Sequence, residues 1–222
     1  MNKAVIFDID GVLIDSYDAH FKSWQMAGRQ HNIDITVERF EQSFGRTSRD
    51  IIRQWWPDGI TDEQITQIDD EKEAAFREVI EVDFPVMEGA IELIESLHAT
   101  GFALAVGSSG PPENVDLVMR KLDRESMFGA RVTGSDVTRG KPDPQVFQIA
   151  ASKLKVAVNR CAVIEDAPAG IAAANAAEMT SIALTGTATE PELGNAELIV
   201  DSLYKLSPEL IDQLLDKENL DG

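Results

Sequence analysis

The chain has 222 residues, of which 43% are hydrophobic, and this is enough for one full core or for a core domain with a small second domain. Its 20 basic and 39 acidic residues give a formal net charge of −19. A protein with this charge repels polyanions, which argues against non-specific binding to nucleic acid or to an anionic membrane. A small phosphate ester remains possible if a few cations offset the field locally.

The sequence gives no sign of a membrane segment or of an oxidising compartment. No window approaches about 18 uninterrupted apolar residues, and no basic stretch followed by an apolar run opens the chain. Cys161 is the single cysteine and cannot form an intrachain disulfide. We therefore expect a cytoplasmic protein, monomeric by default, that binds a small molecule rather than nucleic acid or a membrane.

Six apolar runs predict buried parallel strands separated by helices. The predicted strands cover residues 3–10, 102–108, 130–134, 161–166, 180–185 and 197–201. The helical patterns between and after them cover residues 90–98, 113–122, 144–154, 169–177 and 208–215. This alternation predicts an α/β fold with a doubly wound, Rossmann-like parallel sheet.

Residues 15–86 break the alternation, because their periodic segments are all helical: 17–31, 37–44, 48–55 and 62–80. A crossover between parallel strands needs only about a dozen residues, so this stretch is far longer than one crossover requires. The sequence therefore predicts a helical cap domain at 15–86, inserted into a catalytic core domain made of 1–14 and 87–222.

Polar residues stand where the predicted strands end, and ligands of open α/β sheets bind beyond the carboxyl ends of the strands. These residues are Asp8 and Asp10, Ser108 and Ser109, Lys141, and the pair Glu165 and Asp166. Clustered carboxylates repel each other unless a cation lies among them, and hard oxygen ligands suit Mg²⁺. The pattern predicts one magnesium-dependent site at this edge of the sheet.

Each residue also has an ordinary structural interpretation. Asp8 and Asp10 could form a turn or cap a helix, and Ser108 could simply precede one. Lys141 could be a solvated lysine, and Asp166 could cap the following helix. Their joint placement at the ends of successive strands is what favours a functional site.

These motifs, in this order, resemble the haloacid dehalogenase-like superfamily. The resemblance rests on Asp8-Ile-Asp10-Gly-Val-Leu, Ser108, Lys141-Pro-Asp-Pro, and Glu165-Asp166 with Gly170, and it covers essentially the whole chain. The helical insertion matches the subgroup with an α-helical cap. The segment 15–24 is similar to β-phosphoglucomutases and their phosphatase relatives.

The resemblance implies a role for each motif residue. Asp8 would attack phosphorus and form an aspartyl phosphate, while Asp10 would act as general acid and base and supply a backbone carbonyl to the metal. Asp8 and Asp166 would bind Mg²⁺, with Glu165 as a ligand directly or through water. Ser108 and Lys141 would hold the transferring phosphoryl group, with Gly11 and Ser109 beside it.

Asp10 narrows the reaction, since the dehalogenase and phosphonate-cleaving branches lack an acid two residues after the nucleophile. The resemblance therefore implies phosphoryl transfer, by a phosphatase or by a β-phosphoglucomutase-type mutase. Mutases carry a Lys-Asn pair after the serine, where this chain has Pro111-Pro112. Because proline offers neither charge nor an N–H donor, the phosphatase is favoured.

The substrate-binding candidates in the predicted cap are His20, Trp24, Arg46, Arg49 and Lys72. His20 could be an ordinary surface histidine, Trp24 could be core packing, and the arginines could pair with nearby acids. A receiver-like phospho-acceptor is disfavoured, since its acceptor would stand on the third strand. An idle scaffold has no support, because every motif residue is intact.

Overall fold

A computed structural model of the chain describes residues 2–43, 47–57 and 59–217. The chain divides into two compact units, one formed by Met1–Asp15 and Val86–Gly222 and the other by Ser16–Pro85. We call these the sheet unit and the helical unit. None of the described helices is long and apolar enough to cross a membrane.

In its described residues the helical unit has four α-helices: α1 (Tyr17–Gln30), α2 (Val37–Glu41), α3 (Ser48–Trp55) and α4 (Asp62–Val82). Threonines cap three of them, since the side chains of Thr36, Thr47 and Thr61 accept hydrogen bonds from backbone N–H groups of the first turns. Apolar side chains from all four helices then pack into one core. Its large members are Trp24, Phe40, Ile52, Trp55, Trp56, Ile65 and Ile68.

Helix α2 ends earlier than the sequence pattern predicts. The periodicity runs to residue 44, but the helix ends at Glu41. The backbone N–H and the hydroxyl of Ser43 both donate to the carbonyl of Phe40, at 2.9 and 2.6 Å. A serine that bonds the backbone in this way competes with helix continuation.

The described part of the sheet unit contains six parallel strands in the order β3-β2-β1-β4-β5-β6. They are β1 (Ala4–Phe7), β2 (Ala103–Gly107), β3 (Phe128–Val132), β4 (Cys161–Glu165), β5 (Thr180–Leu184) and β6 (Leu198–Val200). In the central pairings Phe7 lies opposite Val106 on β2 and Ile164 on β4. The carboxyl ends of these strands therefore lie at one edge.

The described residues of the sheet unit also form five α-helices: α5 (Ala90–Ala99), α6 (Pro112–Leu122), α7 (Gln145–Leu154), α8 (Pro168–Ala176) and α9 (Pro208–Lys217). Of these, α6, α7 and α8 connect consecutive strands, and α9 follows the last strand. Helices α7 and α8 cover the face that carries Ala4 and Ile6. Val5 and Phe7 point to the opposite face and are fully buried too, so helices cover both faces of the sheet. This confirms the predicted α/β, Rossmann-like fold.

Candidate active site

The strand ends bring the predicted core residues together around Lys141. Asp8 directly follows β1, Glu165 is the last residue of β4, and Lys141 lies in the loop between β3 and α7. The ammonium of Lys141 donates to Oδ1 of Asp8 and to Oε1 of Glu165, at 2.6 Å in each case. Residues far apart in the sequence therefore form one buried ion-pair cluster.

Lys141 is held in its charged form. Burial by itself would lower the pKa of its ammonium, but the charges of Asp8 and Glu165 outweigh burial and raise that pKa above its ordinary value. The ammonium also lies 5.0 Å from the centre of the Phe147 ring. A fixed positive charge beside Asp8 is suited to stabilising negative charge that develops on a neighbouring group.

Both carboxylate oxygens of Glu165 are occupied by donors. Oε1 accepts from Lys141, and Oε2 accepts from the backbone N–H groups of Asp166 and Ala167, each at 2.9 Å. Gly170 leaves the room for this arrangement, because a Cβ there would stand 1.8 Å from Oε1. Glu165, predicted as a metal ligand directly or through water, is thus also held in place as the partner of Lys141.

Asp8, Glu165 and Asp166 form a group that could hold a metal ion, since each offers a carboxylate oxygen within 4.8 Å of the others. Three buried carboxylates face one ammonium there, so the cluster has an excess of negative charge that a cation would offset. Burial raises the pKa of Asp8 to about 7, with Glu165 and Asp10 adding to the rise and Lys141 opposing it. Burial, then the charges of Glu165 and Asp8, likewise raises the pKa of Asp166.

The turn after β1 places Asp10 and Gly11 beside the same cluster. Asp10 is half-buried, and its charge is one of the causes of the raised pKa of Asp8. Gly11 has φ = 71°, and a Cβ at this position would lie 1.9 Å from Oδ2 of Asp166. Only glycine fits this left-handed conformation and this close approach, so Gly11 determines how near Asp166 comes to the turn.

The serines after β2 differ in their surroundings. Ser108 is 2% exposed, and its hydroxyl oxygen accepts from the backbone N–H of Gly110 at 3.0 Å. Ser109 is exposed. Helix α6 begins at Pro112 with Pro111 as its N-cap residue, so two N–H groups that an ordinary helix start would offer are missing.

In the helical unit, the half-buried His20 and the buried Trp24 and Lys72 form a cluster of their own. The ammonium of Lys72 lies 3.1 Å from Nδ1 of His20 and 2.8 Å from Oε1 of Glu73. It also lies 5.5 Å from the centres of the Trp24 and Phe76 rings. Because a lysine ammonium only donates, Nδ1 of His20 accepts.

Of the two arginines predicted to bind substrate, the structure describes Arg49 only. Arg49 donates to Oδ1 of Asp62 at 3.1 Å and to the hydroxyl of Thr66 at 3.2 Å. Arg46 lies outside the described residues.

Thr187 is a site residue that sequence reasoning missed. It follows β5, the strand next to β4, and its Oγ1 and Oδ2 of Asp166 lie 2.9 and 1.9 Å from the point where a Cβ of Gly11 would stand. The signal that identified the other residues, a polar side chain beyond the end of a strand, was present here as well. It was overlooked because the run ending at Thr185 carries no acid or lysine.

Comparison with known proteins agrees with this arrangement. Residues 2–178 match the family model of the haloacid dehalogenase-like hydrolases. Validoxylamine A 7'-phosphate phosphatase of Streptomyces hygroscopicus subsp. limoneus is 29% identical, over 93% of this chain and 96% of that protein. β-Phosphoglucomutase of Bacillus subtilis (strain 168) is 30% identical, over 94% and 93% of the two chains.

Among solved structures, a β-phosphoglucomutase from Clostridium difficile superposes with a TM-score of 0.86 at 25% identity, covering 99% of this chain and 100% of that one. The sequence match, the shared fold and the motif order lead to the same family. The chain belongs to the haloacid dehalogenase-like hydrolases.

Proposed function

We propose that this protein is a Mg²⁺-dependent phosphatase that hydrolyses a small phosphomonoester, such as a sugar phosphate, through an aspartyl phosphate on Asp8. The observation that carries the proposal is the buried cluster of Asp8, Lys141, Glu165 and Asp166. Relatives named as a phosphatase and as a phosphoglucomutase of phosphorylated sugars support the substrate class.

Asp8 is the nucleophile of this proposal. Lys141 engages Oδ1, so we assign the attack on phosphorus to Oδ2. The P–O bond to the leaving group breaks as the Oδ2–P bond forms, and Asp10 gives its proton to the leaving oxygen. Asp10 then takes a proton from the water that attacks phosphorus, which releases inorganic phosphate and restores the Asp8 carboxylate.

The other residues of the sheet unit position charge and hydrogen bonds. Lys141 offsets the negative charge of the phosphoryl oxygens, and the hydroxyl of Ser108 donates to one of them. Asp8, the backbone carbonyl of Asp10, and Asp166 would hold Mg²⁺. When bound, this ion supplies further neutralisation of phosphoryl charge.

We assign Glu165 chiefly to the placement of Lys141. Its two oxygens accept three hydrogen bonds, and a carboxylate has about four lone-pair sites, so Oε1 keeps one site for a metal. Glu165 could therefore contact the metal directly or through a water molecule.

A second candidate function is a phosphosugar mutase, which the Bacillus subtilis relative favours. A mutase must also bind a second, non-transferring phosphate. Two observations favour the phosphatase: prolines stand at 111 and 112, and cations of the helical unit are already paired with acids, Lys72 with Glu73 and Arg49 with Asp62. A paired cation has less charge to offer a second phosphate.

We further propose that the helical unit acts as a cap that selects the leaving group, and that the protein works as a cytoplasmic monomer on a small phosphorylated metabolite. The predicted boundaries of this cap, residues 15–86, differ by one residue at each end from the compact unit Ser16–Pro85.

The test is a panel of sugar phosphates and other phosphomonoesters with Mg²⁺, in which released phosphate is measured. In parallel, β-glucose 1-phosphate is followed for conversion to the 6-phosphate with a bisphosphate primer. Release from one or a few esters without isomerisation supports the phosphatase, and primed isomerisation would identify a mutase instead. No turnover in either assay contradicts both functions.

A further inference from the structure

Lys141 reaches the buried cluster from a loop that has little apolar support of its own. The three residues before it, 138–140, are all exposed, whereas the Lys141 side chain is only 9% exposed. Exposed loops are in general more mobile than the elements that they connect. The ammonium nevertheless meets Asp8 and Glu165 at 2.6 Å, and this precision requires other contacts that fix the loop.

The side-chain oxygen of Gln145 supplies such contacts. Oε1 accepts from the backbone N–H of Thr138 at 2.6 Å, from its hydroxyl at 3.2 Å, and from the backbone N–H of Arg139 at 3.2 Å. Because backbone N–H groups only donate, the atom that they meet is the amide oxygen and not the NH₂ group. One side chain therefore holds three donors of the loop that leads to Lys141.

Asp143 closes the same loop from its other end. Its carboxylate accepts from the backbone N–H of Gln145 at 3.1 Å and pairs with Nε of Arg139 at 2.8 Å. Its own backbone N–H donates to the carbonyl of Gly140 at 3.0 Å. Lys141 thus lies within a ring of hydrogen bonds that Gln145 joins through both its side chain and its backbone.

Gln145 can hold the loop because it stands on a fixed base. It is the first residue of α7, and the next two residues, Val146 and Phe147, are buried in the core of the sheet unit. The ring centre of Phe147 lies 5.0 Å from the Lys141 ammonium. A hydrogen-bonding side chain on a rigid element can therefore transmit the position of that element to a neighbouring functional group.

We propose that Gln145 is a positioning residue whose side-chain oxygen holds the loop 138–141 and thereby keeps the Lys141 ammonium on Asp8. This role requires no contact between Gln145 and the substrate. Its effect on catalysis rests on the proposed function, in which Lys141 offsets the charge of the phosphoryl oxygens. A preorganised charge works only where it is held in place, and a displacement of about 1 Å can cost about 100-fold in rate.

Two substitutions separate the acceptor oxygen from the size of the side chain. Gln145→Met keeps an unbranched side chain of similar length and removes the oxygen. Gln145→Glu keeps an oxygen there and should preserve all three contacts, because in each of them Oε1 is the acceptor. The matched control is Gln148→Met, which changes an exposed glutamine one turn later in α7.

Two measurements are made on the full chain. In isotope-labelled protein the NMR signal of the Lys141 ammonium is assigned by its loss in Lys141→Met, and the exchange of its protons with water is measured. Phosphate release at saturating Mg²⁺ gives kcat. We expect Gln145→Met to exchange these protons about 10-fold faster, the equivalent of one lost hydrogen bond. Its kcat should fall about 10- to 100-fold, while Gln145→Glu and Gln148→Met stay within about threefold of wild type in both measurements.

In Gln145→Met, either a wild-type exchange rate or a wild-type kcat would overturn the inference and leave the proposed function standing. Equal losses in Gln145→Glu or Gln148→Met would also overturn it, because the acceptor oxygen would then not be the cause. If the wild-type protein hydrolyses no phosphomonoester while ammonium exchange still depends on Gln145, the proposed function is rejected and the positioning of Lys141 is supported.

Discussion

The variant Gly170→Ala tests whether the anchor of Lys141 depends on one missing methyl group. Gly170 lies in α8, and an added Cβ would stand 1.8 Å from Oε1, 1.9 Å from Cδ and 2.5 Å from Oε2 of Glu165. Real Cβ atoms do not approach other heavy atoms this closely. The carboxylate of Glu165, which is 1% exposed, would therefore have to leave its position.

The cost follows from the hydrogen bonds that the displaced carboxylate gives up. Loss of the contact with Lys141 alone costs about 2–3 kcal/mol, since both partners are charged. Loss of the two bonds to backbone N–H groups as well would bring the cost to about 5 kcal/mol. Alanine regains about 1 kcal/mol through its higher helix propensity. We expect a net decrease of about 1–4 kcal/mol in the free energy of unfolding.

The kcat of Gly170→Ala should also fall, because Lys141 would keep Asp8 as a partner but lose Glu165 and with it its fixed position. We expect kcat to drop by about 10²-fold, the effect of misplacing one preorganised charge. Denaturant unfolding with linear extrapolation gives the stability, and phosphate release with saturating Mg²⁺ gives kcat. Gly140→Ala is the matched control, since an added Cβ there meets no atom within 4 Å.

A Gly170→Ala protein with wild-type stability and kcat would refute this reasoning. A double variant gives a second check: Glu165→Asp shortens the acid and removes the clash. The combination of Glu165→Asp with Gly170→Ala should therefore lose less stability than the sum of the two single changes. Strict additivity would mean that the two residues do not interact.

Three further predictions concern Asp8 and the metal. Asp8→Asn should remain folded by circular dichroism and lose turnover by at least about 10³-fold, and substantial residual activity would reject the nucleophile assignment. A magnesium chelator should abolish phosphate release, with recovery on adding Mg²⁺, and full activity after chelation would reject the metal role of Asp166. In metal-free protein the pKa of Asp8 is raised from 3.8 to about 7, so the native state binds the extra proton and its stability should decrease as pH rises through that interval. The difference in unfolding free energy between wild type and Asp8→Asn, measured from pH 4 to 7 in chelator, isolates this effect, and a difference independent of pH would contradict it.

The fold and the core of the site could be predicted from short stretches of sequence. Apolar runs such as residues 3–10 predict buried strands, because a strand covered on both faces needs apolar side chains throughout. The parallel connections then bring Asp8 and Glu165 to one edge, whatever the details of packing. The capping threonines of the helical unit also act locally, within three residues of the donors they satisfy.

Sequence patterns could not predict the contacts between side chains. The pattern identified Glu165 as a site residue but could not show that Lys141 and two backbone N–H groups donate hydrogen bonds to its oxygens. It proposed Lys72 for substrate binding but could not show that the ammonium also pairs with Glu73. It also passed over Thr187, which carries no charge.

The sequence by itself determined the α/β alternation, the helical insertion and the identity of the acids and the lysine at the strand ends. These features depend on local periodicity and on the direction of parallel strands. Only the tertiary structure decided which oxygen meets which donor, because residues 8, 141 and 165 approach one another through packing of distant segments. Differences of a few tenths of an ångström in that packing determine whether a donor and a carboxylate oxygen form a hydrogen bond.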